Sequence, residues 1–493
     1  MGSELARDKH DSTLPNTVPN YYPSWLHANL ALGEPRNLQL QEDGSDWGHQ
    51  FVIPNGYVDF CVRPLFCLEP YSNFKTWCDH HNIQLLVFGF DWRRSAKDAA
   101  DLFLKSFLPA VDKALSQVEQ KLVNYAFVGH SSGGMAVKLA INNTNDLYVQ
   151  GMKCAITVGT PFYGYGGQTR RFLFGEKALN WSLADPGNQN REMARIMATM
   201  PGGYEFLFMS KDVYLCNERA FCNDTDYPLE AYPSVAVDYK GDADPYNPQD
   251  TKDAAFYPLF NKHNLQMLAA GRDVAKEVAQ PVDGAVAAKF YNIRGVQMSG
   301  RVPRNNTIVS TQWKRLPLNY NPDASPPIDP LTDTMGCGDS VQPAWGARLL
   351  QLMDKPYCND RIPHVITVAG DVDHVDLMNE DVVLEKLALI LGIRAVQPVV
   401  PWVRPAMATV DDFDAFLAGM PRSASYKAKS PVDRRLDLLR YLLSIEALRL
   451  LKLARRGFSD LLKGGPLRVA QAKPKPKPKT TTRAKLKRKA KKR

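Results

Sequence analysis

The pentapeptide Gly129-His130-Ser131-Ser132-Gly133 sets a serine between two glycines. The apolar run Tyr125-Ala126-Phe127-Val128 precedes it, and Gly134-Met135-Ala136-Val137-Lys138-Leu139-Ala140-Ile141 follows. The first run reads as a buried strand and the second as a helix. A strand that enters a helix through G-x-S-x-G is a nucleophile elbow, which holds the serine hydroxyl at the tip of a sharp turn. The glycines remove side chains that would collide in so tight a turn. The helix N-terminus aims N–H groups at negative charge developing on a bound carbonyl. The five-residue pattern alone is common. Its strand and helix context is what separates Ser131 from a spectator serine in a glycine-rich turn.

A serine hydroxyl becomes a useful nucleophile when a histidine takes its proton and a carboxylate orients that histidine. In strand–helix enzymes with such an elbow the order is Ser, then Asp or Glu, then His. Of the nine histidines, His10, His27, His49, His80 and His81 precede Ser131. His130 lies inside the elbow, its side chain directed away from the nucleophile. His263 falls in an irregular stretch, and His364 opens a strand and packs there. His374 follows a strand over 365–369 in the turn Gly370-Asp371-Val372-Asp373-His374-Val375-Asp376, where a general base is expected. For the acid, Asp339 sits in the turn Gly336-Cys337-Gly338-Asp339-Ser340-Val341-Gln342-Pro343, ahead of a predicted helix carrying Ala347, Leu349 and Leu350. Asp333, Asp371, Asp373 and Asp376 compete. The last three lie too near His374 in sequence to reach its far nitrogen from a separate strand.

The elements that must carry these residues alternate. Residues 84–90 read as a central parallel strand buried on both faces. Ser95 with Asp98 reads as a capping box. It opens a helix with Phe103, Phe107, Val111, Leu115, Val118 and Leu122 on one face, bent at Pro109. After the elbow comes a strand over 153–158. This rhythm argues for an α/β fold with a mostly parallel central sheet covered on both faces. From 162 to 285 the rhythm breaks down, and the stretch is too long for a simple loop; it reads as an inserted cap. The sheet resumes at 289–296 and ends at 364–369, with a helix over 381–391.

The expected organisation is thus core residues 1–161, cap 162–285, core 286–396, linker 397–429, an amphipathic helix within 430–463, and a tail over 464–493. Ser430-Pro431-Val432-Asp433 is a strong helix start. Leu436, Leu439, Leu443, Ala447, Leu450 and Ala454 mark one face, and Arg434, Arg449, Lys452 and Arg456 another. Such a helix either lies on an anionic membrane surface or docks on the domain with its basic face solvated.

The 493 residues are 44% hydrophobic and 23% charged, ordinary for a soluble globular protein. No run of 18 apolar residues predicts a transmembrane helix. The first ten residues lack the apolar core of a signal peptide, so the chain as written reads as cytoplasmic. The net charge is +9, yet residues 473–493 hold twelve Lys and Arg and no acid, which leaves the rest at −3. Such a tail cannot bury enough apolar surface to order itself. Its expected partners are an anionic membrane surface or another polyanion. It has no aromatics to stack on bases, so no specific nucleic acid is expected. The eight cysteines are 61, 67, 78, 154, 216, 222, 337 and 358. Without export they read as reduced thiols; with export, Cys216–Cys222 and Cys337–Cys358 are possible pairs. None has C-x-x-C spacing, so no zinc site is expected. Sequons at Asn142, Asn180, Asn223 and Asn305 matter only in a secreted protein.

Together these pieces resemble the lecithin:cholesterol acyltransferase-like family of α/β-hydrolases. Phe90-Asp91-Trp92-Arg93 is similar to its Y-D-W-R, with Phe replacing Tyr. Gly129–Gly133 matches its elbow, and Gly159-Thr160-Pro161 its G-[AT]-P. Gly338-Asp339-Ser340-Val341-Gln342-Pro343 resembles its G-D-G-T-V-P, with three of the six positions different, and His374-Val375-Asp376 its H-x-D. The likeness runs over about residues 1–392 in the family's order. It implies an α/β-hydrolase fold and attack of serine on a lipid or other ester, with acyl transfer to a hydroxyl or to water. Met1-Gly2-Ser3-Glu4-Leu5 resembles the second half of P-G-x-x-G-S-x-L, which in the family follows the first core strand. That implies a further strand upstream and, with it, room for a signal peptide and export.

An oxyanion hole needs two N–H donors. The amide of Ser132 is one by position. The second is expected in Ile53-Pro54-Asn55-Gly56-Tyr57, where the family has a V-P-G-[FY]-like turn, which makes Gly56 and Tyr57 candidates. Asp91, Trp92 and Arg93 are expected to brace the site. Arg93 would pair with a carboxylate and Trp92 line an acyl pocket; a structural salt bridge and core packing fit equally well. The expectation is a serine esterase, lipase or O-acyltransferase using Ser131, His374 and Asp339 on a lipid or ester substrate, with a hydroxyl acceptor and no cofactor or metal. The competing class is a noncatalytic binding protein on the same fold, tethered by its basic tail.

Overall fold

The computed structural model describes residues 3–8, 21–23, 38–41, 44, 46, 52–57, 60–62, 66–174, 194–224, 226–236, 244–247, 262–282, 284–314, 331–349 and 364–393. The expected linker, amphipathic helix and basic tail lie outside these residues, as does Cys358. The described start of the chain is a small antiparallel sheet in the order β2-β1-β3, from β1 (Ser3–Asp8), β2 (Tyr21–Pro23) and β3 (Val52–Tyr57). A hairpin of β4 (Phe60–Val62) and β5 (Phe66–Leu68) sets Cys61 opposite Cys67 and leads into helix α1 (Ser72–His80).

The expected strand over 84–90 joins no sheet. A cavity of about 550 Å³ separates this segment from the neighbouring strand β6 (Ala126–His130). The reason is aromatic packing. Phe88 lies 5.2 Å from Phe103 and 5.1 Å from Phe107 between ring centres, which holds the segment against the following helix. Leu86 and Val87 are left exposed.

That helix is also broken. α2 (Ala96–Leu102) passes into a π-helical turn over Phe103–Phe107, and α3 (Leu108–Ser116) resumes with Pro109 in its first turn. Pro109 has no N–H to give the preceding turn, and its ring crowds the carbonyl four residues back. The wider turn, closed from Leu108 N–H to Phe103 O, absorbs the misfit. Val118 and Leu122 lie beyond the helix end, where Glu119 takes a positive φ of 57° and Gln120 N–H closes on Leu115 O. Ser95 Oγ caps Lys97 N–H at the helix start. The second cap comes from Glu205, not Asp98: Glu205 Oε2 accepts from Ala96 N–H at 2.9 Å.

After β6 come helix α4 (Ser132–Asn142) and β7 (Cys154–Val158). The 162–285 stretch supplies β8 (Ser234–Ala236), α5 (Lys211–Cys222) and α6 (Lys262–Ala279). β9 (Phe290–Ser299) turns back through β10 (Val302–Pro303), and β11 (Thr307–Trp313) pairs antiparallel with β12 (Leu331–Gly336). β13 (His364–Gly370) and helix α7 (Asp381–Leu391) complete the described chain. Strands β6, β7, β9 and β13 run parallel in that order, with Val128 opposite Ile156, Ile156 opposite Tyr291, and Ile293 opposite Ile366. All five residues of β7 are buried, as a strand covered on both faces requires. One core lies on the α4 side, with Phe127, Met135, Leu139 and Phe290; the other on the α7 side, with Ile156, Ile293, Val368 and Leu384. The architecture is α/β.

Sequence periodicity missed the second sheet, β12-β11-β8, in which β8 pairs parallel with β11. The 162–285 stretch thus shares a sheet with the chain that follows it. Polar ties add to this. Asp224 receives Arg294 Nη1 of β9 and Arg348 Nη1, each at 2.8 Å. Burial alone would raise the Asp224 carboxyl; the bonds from Arg294 and Arg348 outweigh it and hold the group well below the usual range. Lys138 of α4 is buried, which pushes its ammonium down to about 7, and donates to Asn142, which in turn donates to Glu277 O of α6.

Cys216 and Cys222 are free thiols on α5, not a pair. Six residues of helix separate them by about 9 Å of rise, too far for a disulfide. Where a helix was expected at Ala347 and Leu349, the chain makes turns, with Gly346 and Ala347 N–H both on Pro343 O.

Glu205 couples stability to pH. Burial lifts its carboxyl from 4.5 to about 8, so the native state binds its proton more tightly than the unfolded chain. This contribution to stability is full below the unfolded value and is lost as pH rises through the folded one. Glu205→Gln keeps an acceptor for Ala96 N–H and cannot ionise. Its thermal unfolding midpoint is expected to fall less than that of wild type between about pH 5 and pH 8. Equal slopes in the two proteins would show that Glu205 does not carry the effect.

Candidate active site

Ser131 closes β6 and caps α4 in a conformation a side chain rarely takes, with φ 55° and ψ −126°. Two backbone bonds hold it there: Ser131 N–H to Val158 O at 3.0 Å and Gly134 N–H to Ser131 O at 2.9 Å. The turn is tight enough that a Cβ on Gly129 would lie 2.5 Å from Gly133 O, which explains glycine at that position. Ser131 Oγ makes no capping bond to its helix. It lies instead 2.9 Å from His374 Nε2.

His374 Nδ1 lies 2.9 Å from Asp339 Oδ2. A carboxylate oxygen only accepts, so Nδ1 carries the proton and Nε2 presents its lone pair to the Ser131 hydroxyl. Asp339 is fully buried. Its other oxygen accepts from Val341 N–H at 3.1 Å and Gln342 N–H at 2.6 Å. His374 N–H also donates to Asp339 O at 2.8 Å, so the acid and base turns are joined through their backbones. Gln297 N–H to Gly338 O, 2.8 Å, fastens the acid turn to the end of β9.

Ser340, the residue after the acid, has φ 79°, where the family pattern has glycine. Its N–H bonds Thr307 Oγ1 at 3.0 Å and its Oγ donates to Asp373 Oδ2 at 2.8 Å. Gln297 Nε2 donates to the same Asp373 oxygen at 3.2 Å. The clamp links the acid turn to the residue before His374, and periodicity alone carries no trace of it. The competing carboxylates are engaged elsewhere. Asp333 pairs with Arg170, and Asp371 with Arg304 at 3.1 Å.

Arg93 is fully buried and grips Asp91 through both oxygens, at 2.8 and 2.7 Å, and Asp46 at 2.6 Å. Burial alone would weaken its charge; the bonds to Asp91 and Asp46 outweigh that and keep the guanidinium charged. Removing Arg93 would strand two carboxylates, a loss of about 3–5 kcal/mol. Asp46 carries no local signal that could have marked it as a partner. Trp92 is buried; the cavity that reaches the elbow is lined by Phe90, with His130, Ser132 and Gly133. Ser132, the first residue of α4, is buried directly behind Ser131. Gly56 and Tyr57 end β3, with Tyr57 opposite Ser3, in the small antiparallel sheet rather than the one that carries Ser131.

Among the described residues no helix is long and apolar enough to cross a membrane, and no cluster of His, Cys, Asp or Glu is arranged to hold a metal. No family model matches the chain, and no curated protein matches it. Among solved structures, the chain is similar to one in a crystal structure of the Tle4–Tli4 complex, at 13% identity and a TM-score of 0.37. That match covers 62% of this chain and 68% of the other. A likeness this slight does not bear on function.

The post-β7 turn offers a direct probe of the geometry. Gly159 has φ +56°, and a Cβ there would meet Leu377 Cδ2 at 2.9 Å, Asp339 Oδ2 at 3.1 Å and His374 Nδ1 at 3.4 Å. Gly159→Ala would both strain the turn and wedge the acid from the base. Its rate of inactivation by a fluorophosphonate is expected to drop about 10- to 100-fold. An unchanged rate in a folded variant would mean that the close approach is not needed.

Proposed function

We propose that the chain is a serine esterase, lipase or O-acyltransferase of the α/β-hydrolase type, acting on lipid or other carboxylic esters. One observation carries this reading. Ser131 Oγ and Asp339 Oδ2 each lie 2.9 Å from opposite nitrogens of His374, with the serine on a strained strand-to-helix turn. Ser131 Oγ attacks the ester carbonyl while His374 Nε2 takes its proton. Asp339 stabilises the imidazolium through Nδ1–H. The carbonyl oxygen becomes an oxyanion held by the Ser132 amide and by a second amide, for which Gly56 and Tyr57 are the candidates. Collapse expels the alcohol, which leaves with the proton from His374, and Ser131 holds the acyl group. Water or an alcohol then gives its proton to His374 and attacks the acyl-serine, restoring the enzyme. Hydrolysis and transfer differ only in that acceptor. The basic tail would hold the enzyme on an anionic membrane surface or another polyanion.

A fluorophosphonate is expected to label the wild type and not Ser131→Ala, and Ser131→Ala should lower ester turnover by roughly 10⁴-fold or more. A folded wild type that does not label would point instead to a noncatalytic binding protein on the same fold. A panel of lipid esters, run with and without an alcohol acceptor, separates hydrolase from transferase. Deleting residues 473–493 should leave turnover of a soluble short-chain ester unchanged while weakening binding to anionic vesicles. A large fall in soluble-ester turnover would place the tail in the catalytic machinery.

A further inference from the structure

We infer that His130, held by Tyr71, is a positioning residue that fixes the backbone carbonyl of His374; this rests on the proposed role of His374 as the base. The sequence places His130 inside the elbow and gives it no task. Its ring makes no bond to Ser131; Nε2 lies 2.9 Å from His374 O and Nδ1 lies 3.1 Å from Tyr71 Oη. A carbonyl oxygen only accepts, so Nε2 carries the hydrogen and donates it. Nδ1 is then a bare lone pair, and the Tyr71 hydroxyl donates to it. The two partners together select one neutral tautomer.

The consequence for His374 is that four of its polar groups are pinned at once. Its N–H is on Asp339 O, its C=O receives His130, its Nδ1 meets Asp339 and its Nε2 meets Ser131. The Tyr71 end is anchored as well. Asn73 N–H donates to Asn379 Oδ1 at 3.0 Å, Asn73 Nδ2 to Asn379 O at 3.1 Å, and Asn379 Nδ2 to Glu69 O at 2.8 Å. The start of α1 is thereby bound to the turn that follows His374, which ties Tyr71 to His374 by a second route. The neutrality of His130 also matters, because its ring centre is 5.1 Å from that of His374. A cation there would oppose the charge His374 takes up in each half-reaction. Burial, and the neighbouring His374, push the His130 imidazole well below its ordinary range.

The test joins kinetics to spectroscopy. His130→Leu is expected to lower kcat about 10- to 100-fold with KM little changed. His130→Gln, whose amide can donate to the same carbonyl, should recover most of the loss. Tyr71→Phe releases the tautomer and should cost several-fold in the wild type but nothing further in the His130→Gln background. Nitrogen-15 imidazole spectra should show His130 as a single neutral Nε2–H tautomer in wild type and a mixture in Tyr71→Phe. An Nδ1–H tautomer, full kcat in folded His130→Leu, or additive effects of Tyr71→Phe and His130→Gln would each overturn the assignment. The spectra need no turnover. A wild type that shows the expected tautomer yet fails to react with fluorophosphonate would refute the hydrolase reading and leave the His130–Tyr71 pairing standing.

Discussion

His374 must meet a hydroxyl and a carboxylate at the same time, and they lie 243 and 35 positions away along the chain. Several elements of the described fold converge on that meeting. Parallel strands solve it because their carboxyl ends share one edge of the sheet. Ser131 leaves β6 there, Gly159 leaves β7, and His374 follows β13. Asp339 does not follow a strand of this sheet. It leaves β12, of the second sheet, and reaches the common edge because Gln297 at the end of β9 takes Gly338 O. Two sheets are therefore stitched together at the acid, by that bond and by Ser340 N–H on Thr307 of β11.

The ties between irregular segments and the sheet are polar and buried. Arg93 joins Leu38 and Asp46 to the turn after residue 90, and Arg294 joins β9 to Asp224. Burying such charges gives little net stability, since desolvation offsets most of the attraction. What they supply is a penalty for separation: pulling away one partner leaves the other charged and dry. Segments with no ladder bonds are held in register that way. A hydrophobic contact, tolerant of sliding, would not fix them as tightly.

Local patterns reveal some of this arrangement and hide the rest. The elbow, the strands at 154–158 and 364–370, and the helix at 381–391 each carry their own signal: an unbroken apolar run, a glycine pair, or an amphipathic period. Ser131, Asp339 and His374 are legible as candidates because the chemistry dictates residue types and order, and the fold brings them into hydrogen-bond range. The segment at 84–90 reads as a strand by composition, yet its Phe88 packs on Phe103 and Phe107 on the helix side. Composition cannot tell which of two neighbours an apolar run will choose. Asp46, Glu205 and Tyr71 are silent in the sequence for a different reason. Each acts on a residue at least 47 positions away, and a lone polar side chain has no period to announce it.

Three positive-φ positions lie where the three groups converge. Ser131, Gly159 and Ser340 all have positive φ, at 55°, 56° and 79°. The two serines give up about 1–3 kcal/mol each to hold conformations that glycine would take freely. Both are held by bonds that leave nothing to relax into. Ser131 is fixed by Val158 and Gly134 through the backbone, and Ser340 by Thr307 and Asp373. The serine at 131 sets its hydroxyl against His374 Nε2, which a glycine could not do. The one at 340 need not be a serine for its backbone, yet its hydroxyl reaches Asp373, beside His374, which a glycine could not do. Strain at 340 is therefore exchanged for a second clasp between the acid turn and the base turn.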